Sequence, residues 1–394
     1  MLDQEGSELK NELVELSRPD YGEREIAAVA AVLQSGWTTT GPQTAGFEKA
    51  FCEFTGARFA LGVNSGSAAL HLALSAHGAG PGDEVITTPL TFCATVNAIL
   101  LTGATPVLAD IGEDLNISPE AVRRAITPRT RAILPVHYAG LPCDMKSIHE
   151  LAREHNLFVV EDAAHAAGAA SGSVRVGAGA SDAIAFSFYA TKNLSTGEGG
   201  MVTCHDERLY ERMRVLSLHG ITRDAWGRHA TKDNWAYEVT ACGFKYNMSD
   251  VTAAIGLVQL ARLEEMNRRR AAIASAYNAA FSRMPELELP PDPAGMQHAW
   301  QLYVLRLNLD KLRVDRSEFI SEMRRRGVEC SVHFIPISLH PYYRARLEVR
   351  DVCARTMAEY PRLVSLPMSS ALGDGDVEKV MGAVRKTIEA HRCR

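Results

Sequence analysis

One lysine in this chain has neighbours that could turn an ammonium into a nucleophile. It lies in the run Phe186-Ser-Phe-Tyr-Ala-Thr-Lys192-Asn-Leu-Ser-Thr-Gly-Glu-Gly-Gly200, a small, mostly apolar segment with hydroxyls before it and a Gly/Ser/Thr-rich turn after it. An ammonium there loses hydration, its pKa falls, and the free amine can attack a carbonyl. That is what a lysine needs to hold an aldehyde such as pyridoxal phosphate as a Schiff base. A lysine at a strand end that points to water has the same local sequence, so the other residues must decide.

The stretch Leu157-Phe-Val-Val-Glu-Asp162-Ala-Ala-His165 offers a complement. An apolar strand ends in a carboxylate, and a buried aspartate requires a cation or several donors. A protonated pyridine nitrogen would be such a cation, and the pairing would keep the ring electron-poor. The competing account makes Asp162 a helix cap, and His165 either contacts a ring hydroxyl or caps a helix. Asn64-Ser65-Gly66-Ser67-Ala68 leads from a strand into an Ala/Leu-rich helix. Small residues at a helix N-terminus make a phosphate cup, and they also make an ordinary serine N-cap. Phe92 follows Thr88-Pro-Leu-Thr and could stack on a planar ring, although an aromatic in such a position usually joins the core. Other motifs fail on context. Gly78-Ala-Gly80-Pro-Gly82 follows a helix and contains proline, unlike a dinucleotide fingerprint. His149 and His155 fall on different helix faces, unlike a zinc-protease pair.

The elements that must position these residues alternate. Runs at Phe59–Val63, Glu84–Thr87, Thr105–Ala109, Ala132–Val136, Leu157–Glu161, Ala183–Phe188 and Gly200–Cys204 read as strands. Helical patterns separate them at Ala68–His77, Thr91–Thr102, Ser118–Ala125 and Met145–His155. This is an α/β pattern of βαβ units around a mainly parallel sheet, whose ligands bind at strand carboxyl ends. Beyond Asp250 a long helix runs from Val251 to Phe281, and a proline-rich loop follows at Pro285–Gly295. Elements at Trp300–Leu307, Phe319–Arg326, Glu329–Phe334 and Val377–His391 then read as a smaller α+β domain. The arginine triplets 268–270 and 324–326 read as solvated helix faces.

Bulk properties narrow the class. A chain of 394 residues suggests two domains, and a net charge of −5 gives no footprint for nucleic acid. The 8 cysteines are scattered without a CxxC pair, so neither a zinc site nor a disulfide framework is expected. The polar N-terminus is no signal peptide, and the most apolar window, near 94–109, is broken by Asn97, Gly103 and Pro106. The expectation is a cytoplasmic protein with no membrane partner and no metal.

Order along the chain is more specific than any single motif. Thr-Phe92, Glu-Asp162-Ala-Ala-His165, Ser187…Lys192 and Gly243-Phe-Lys-Tyr246-Asn247 follow one another as in fold-type I pyridoxal-phosphate enzymes. More narrowly the chain resembles the DegT/DnrJ/StrS nucleotide-sugar aminotransferases, from Gly36-Trp37-Thr38-Thr39-Thr40-Gly41-Pro42 to Pro341-Tyr342-Tyr343. Within them it resembles the enzymes making UDP-4-amino-4-deoxy-L-arabinose, through Leu218-His219-Gly220, Asp224-Ala-Trp-Gly-Arg228 and Arg268-Arg-Arg270-Ala-Ala-Ile-Ala. The resemblance implies a fold-type I transferase: a large domain (46–262) with a mainly parallel seven-stranded sheet flanked by helices, and a small C-terminal α+β domain (263–394). An N-terminal arm (1–45) would join the small domain.

The resemblance also implies roles. Lys192 is the Schiff-base lysine, Asp162 the partner of the pyridine nitrogen and Phe92 the stacking aromatic. His165 sits beside the ring oxygen. Gly66, Ser67, Ala68 and Ser187 form the phosphate cup. Asn247 is donated across a homodimer interface to the neighbouring subunit's cofactor phosphate. Trp37, Thr38, His219, Arg228, Lys245 and His333 are substrate candidates, with Arg223 and Arg344 as further cations for a diphosphate. The implied reaction takes the amino group of L-glutamate, in two halves, to the 4-keto carbon of a nucleotide-linked sugar. A UDP-4-keto pentose is the first choice. The alternatives are a UDP-, dTDP- or GDP-linked 4-keto-6-deoxy-hexose or hexosamine, or another fold-type I reaction on amino acids.

Overall fold

The computed structural model describes residues 13–222, 237–347 and 353–393. The seven β-rich runs form one sheet. Its strands are β1 (Phe59–Val63), β2 (Glu84–Thr87), β3 (Thr105–Leu108), β4 (Thr130–Leu134), β5 (Phe158–Asp162), β6 (Ala183–Ser187) and β7 (Gly200–Cys204). The spatial order is β1-β7-β6-β5-β4-β2-β3. All neighbours are parallel except β7, which runs antiparallel to both β1 and β6. Every residue of β5 is buried. A parallel strand covered on both faces reads as such a continuous apolar run. The carboxyl ends of β1, β2, β4, β5 and β6 therefore open on one side of the sheet.

Helix Gly66–His77 packs its Ala/Leu face on the sheet, and Ala68 to Leu74 are all buried. The small domain has a three-stranded antiparallel sheet, Leu287–Glu288, Tyr303–Leu307 and Leu363–Leu366. Helices Arg316–Arg325 and Asp374–His391 accompany it. Glu329–Phe334, expected as a regular element, makes only an isolated bridge, Ser331 to Ser365.

Helix Asp250–Phe281 runs through the expected domain boundary at residues 262 and 263. Its first half gives Ala253, Leu260, Leu263 and Met266 to the large domain's core. Its second half gives Ile273, Tyr277 and Phe281 to the small domain's core. Arg270 corrects the reading of its triplet as solvated. It is buried, and its guanidinium donates to the carbonyls of Trp300 and Met368. The cation thus ties the long helix to both flanks of the small domain, where carbonyls with no strand partner can accept it.

The N-terminal segment is divided between the two domains. Val14 bridges Val328, and the Met368 amide donates to the Leu16 carbonyl, both in the small domain. Helix Pro42–Thr55 instead sends Phe47 and Phe51 into the large domain's core.

Candidate active site

The strand ends converge on a cavity of about 580 Å³, lined from both domains. From the large domain come the turn after β1 (Ser65, Gly66, Ser67), the turn after β2 (Thr91, Phe92), the end of β5 (Asp162, Ala164, His165), Ser187 at the end of β6 and Lys192 beyond it. Leu16 and Ser17 of the N-terminal segment, and Gln301, His333, Phe334 and Met368, close the other side.

Lys192 sits in the cavity wall. Burial pulls its amine down to about 8, against the opposing charge of Asp162, which works to raise it. A sizeable neutral fraction near pH 7 to 8 is what a Schiff-base lysine requires.

Asp162 is buried at the last position of β5. Its Oδ2 accepts from Thr95 Oγ1 at 2.7 Å and its Oδ1 from the Ala164 amide at 3.1 Å. Burial raises its pKa, and these donors and Lys192 oppose the rise without cancelling it. Glu161, one residue earlier, faces the other side of the sheet, as strand alternation requires. There it pairs with the buried His137 at 2.7 Å and its carboxyl is held low.

His165 is buried, and its Nδ1 has no hydrogen-bond partner. Burial, then the charges of Lys192 and His333, push its pKa well below the ordinary histidine value, so its ring is neutral. His333 is likewise pushed down to about 4 by burial and Lys192, with Nδ1 held by Ser365 Oγ at 2.9 Å. Phe92 departs from the usual core placement. Its ring is 57 % exposed at the cavity edge, 5.8 Å from the Phe334 ring.

The turn after β1 bears out the reading of a serine N-cap. Ser65 caps helix Gly66–His77 by accepting from the Ala68 amide at 3.1 Å. Ala68 is therefore buried behind the cup, while Ser67 is exposed in the cavity wall. A Cβ on Gly66 would stand 2.7 Å from Ser187 Cβ, and one on Gly200 would stand 2.6 Å from the Ser65 carbonyl. Only glycine at these two places lets the turn nest against β6 and β7.

Of the described substrate candidates, His333 alone lines this cavity. Trp37, Asn247 and Lys245 gather elsewhere, around Thr40. Trp37 Nε1 donates to the Thr40 carbonyl at 3.0 Å, Asn247 Nδ2 to Thr40 Oγ1 at 2.7 Å, and Lys245 Nζ to Asn247 Oδ1 at 2.7 Å. Thr38 and His219 are exposed and also outside the cavity. Arg344, the further diphosphate cation, is likewise outside it. Arg228 and Arg223 lie outside the described residues.

Sequence reasoning missed three buried polar side chains in the wall, Thr91, Thr95 and Gln301. Thr95 is fully buried on the first turn of helix Cys93–Thr102. Gln301 is buried, donates from Nε2 to the Thr191 carbonyl at 2.9 Å, and leaves Oε1 without a partner. The signal for Thr95 was its spacing of four from Thr91, one helical turn. Gln301 gave none, because its contacts span more than 100 residues of chain.

A depressed lysine, a buried carboxylate and a glycine-floored helix N-terminus at the strand ends of this sheet define a pyridoxal-phosphate-dependent aminotransferase. Residues 19–385 match the DegT/DnrJ/EryC1/StrS aminotransferase family, and the chain belongs to it. It is 48% identical over 383 residues to the spore coat polysaccharide biosynthesis protein SpsC of Bacillus subtilis, covering 96% of this chain and 98% of SpsC. The solved structure of Helicobacter pylori PseC, an aminotransferase of pseudoaminic acid biosynthesis, superposes with a TM-score of 0.87 at 30% identity, covering 96% of this chain and 100% of PseC. Spr1654 from Streptococcus pneumoniae, solved in its pyridoxamine phosphate form, also gives a TM-score of 0.87 at 30% identity, covering 95% of this chain and 99% of its own. Among the described residues, no helix is long and apolar enough to cross a membrane.

Proposed function

We propose that this sugar aminotransferase takes the amino group of L-glutamate and delivers it to the 4-keto carbon of a nucleotide-linked sugar, with a UDP-4-keto pentose as the first choice. The observation that carries the reading is the depressed Lys192 amine facing a cavity that also holds the buried Asp162 carboxylate. The pentose choice rests on the subgroup stretches of the sequence. The likeness to PseC, named for pseudoaminic acid biosynthesis, favours a second reading, a 4-keto-6-deoxy hexosamine.

The cavity residues fit the cofactor. Lys192 would hold its aldehyde carbon, Asp162 its pyridine N–H, and Phe92 one face of its ring. The partnerless Nδ1 of neutral His165 suits the ring hydroxyl, either as donor or acceptor. Ser67, Ser187 and the amides at the start of helix Gly66–His77 suit the phosphate. Bound there, pyridoxal phosphate supplies an electron-accepting ring that stabilises carbanion charge beside the exchanged nitrogen. Lys192 Nζ would take the substrate's proton and return it. His333 Nε2 borders the same space and suits a sugar hydroxyl.

The cluster of Trp37, Lys245 and Asn247 around Thr40 supports a homodimer. Placed outside its own cavity, it would complete a second copy's phosphate and substrate site. The test offers UDP-, dTDP- and GDP-4-keto sugars with L-glutamate and follows 2-oxoglutarate. Turnover with a UDP-4-keto pentose above the other sugars is expected. Turnover confined to hexoses would select the second reading, and continued glutamate consumption beyond one equivalent per active site with no keto sugar present would defeat both.

A further inference from the structure

We infer that Thr91 and Thr95 form a directed hydroxyl relay that keeps Asp162 an acceptor for the cofactor's pyridine N–H, with Thr95 a positioning residue for cofactor binding. The inference rests on the assignment of Asp162 to that nitrogen and goes beyond it.

The direction follows from proton counting. Thr95 Oγ1 lies 2.7 Å from Asp162 Oδ2 and 2.7 Å from Thr91 Oγ1. A hydroxyl has one proton and two lone pairs. An ionised carboxylate only accepts, so the Thr95 proton must point at Asp162. Thr95 must then accept from Thr91, whose own proton points at Thr95. All three groups are buried, Thr95 completely, so the pair of hydroxyls is shielded from bulk water. Thr91 lies two residues before helix Cys93–Thr102 and Thr95 on its first turn, so the start of this helix brings the two hydroxyls together. Asp162 Oδ1 is engaged by the Ala164 amide and the carboxylate borders the cavity, leaving acceptor capacity for one more donor.

The arrangement answers a definite difficulty. Burial favours the neutral acid, and a protonated Asp162 would cease to be a pure acceptor for a pyridinium. Several groups face this carboxylate or its surroundings. Lys192 lines the same cavity, and its charge favours the anion, while His137 lies behind the strand. His165 and His333 are neutral, and the Glu161 carboxylate on the opposite face is already paired with His137. Thr95 is the only side-chain hydroxyl donor to Asp162 among the described residues, and it opposes burial more than any other group does.

The test measures pyridoxal phosphate affinity by absorbance titration of apo-enzyme, and follows the cofactor's visible band as pH is lowered. T95V, nearly isosteric, is expected to bind on the order of tenfold more weakly, the scale of a hydrogen bond to a charged group. It should also lose the cofactor at a higher pH than wild type, because removing the donor raises the Asp162 pKa further. T95S restores both readouts, and T91V moves both in the same direction by less, roughly threefold. A purely structural role for Thr95 would lower thermal stability and leave the acid limb in place. Wild-type affinity and acid limb in T95V, with D162N impaired, overturn the relay. Wild-type behaviour in D162N removes the Asp162 assignment, and the relay with it. Should T95V not fold, T91V decides by the same two readouts.

Discussion

Glu161 and Asp162 are adjacent acidic residues on one strand, both buried, and they have opposite fates. Glu161 faces a closed cluster. His137 Nε2 meets it at 2.7 Å, the Cys143 amide donates to His137 Nδ1 at 3.0 Å, and Ser181, itself held by His149 at 2.8 Å, supports the same carboxylate. Its donors more than offset burial, and its pKa falls. Asp162 faces a cavity, has a hydroxyl and one amide, and its pKa rises. The difference teaches how to tell structure from site. A buried charge whose needs are met within the chain holds the fold together, whereas one left short of a cation marks where a ligand completes the set.

The sharpest way to test that contrast is at the cavity's own cation. Lys192→Ala is expected to abolish the visible cofactor band and to lower transamination by at least about a thousandfold, since it removes both anchor and proton carrier. Circular dichroism and thermal unfolding should be nearly unchanged. An unaltered spectrum would show that the cavity is not where the cofactor is held.

The opposite face should give the opposite outcome. Glu161→Gln removes the anion that accepts from His137 and Ser181, and is expected to cost about 2 kcal/mol of stability, the scale of a hydrogen bond to a charged group. The pair's contribution in wild type is present above the ordinary glutamate pKa of 4.5 and is lost as pH falls through the lower folded value. The folded fraction of the variant should still bind cofactor with the wild-type spectrum. Loss of the cofactor band without loss of stability would break the contrast.

The smallest effect concerns rate. With the Lys192 amine at about 8, the rate of cofactor capture by apo-enzyme should rise with pH up to about 8 and then level off. Stopped-flow absorbance measures it. A plateau only near 10 would mean that burial does not depress this amine.

Much of this was legible in the chain. The seven strands were visible because a parallel sheet covered on both faces needs short, continuous apolar runs. Lys192 and Asp162 stood out because a charge ending an apolar run is costly unless something meets it. The turn after β1 was legible as a helix start, but not the closeness of Gly66 to Ser187, residues 121 apart in sequence. Phe92 illustrates the limit from the other side. Its local sequence suits a core position, and only the arrangement of the two domains leaves its ring at a cavity edge.

The sequence by itself determined the seven strands of the main sheet and the order of the motifs, because these depend on neighbours along the chain. Tertiary structure alone decided three things. It set Thr95 beneath Asp162 and Gln301 against Thr191. It buried Arg270 between helix and small domain instead of leaving it in water. It also gathered Trp37, Lys245 and Asn247 around Thr40 rather than in the cavity. Each depends on hydrogen bonds and burial between residues far apart in the chain, and propensity carries no information about such partners.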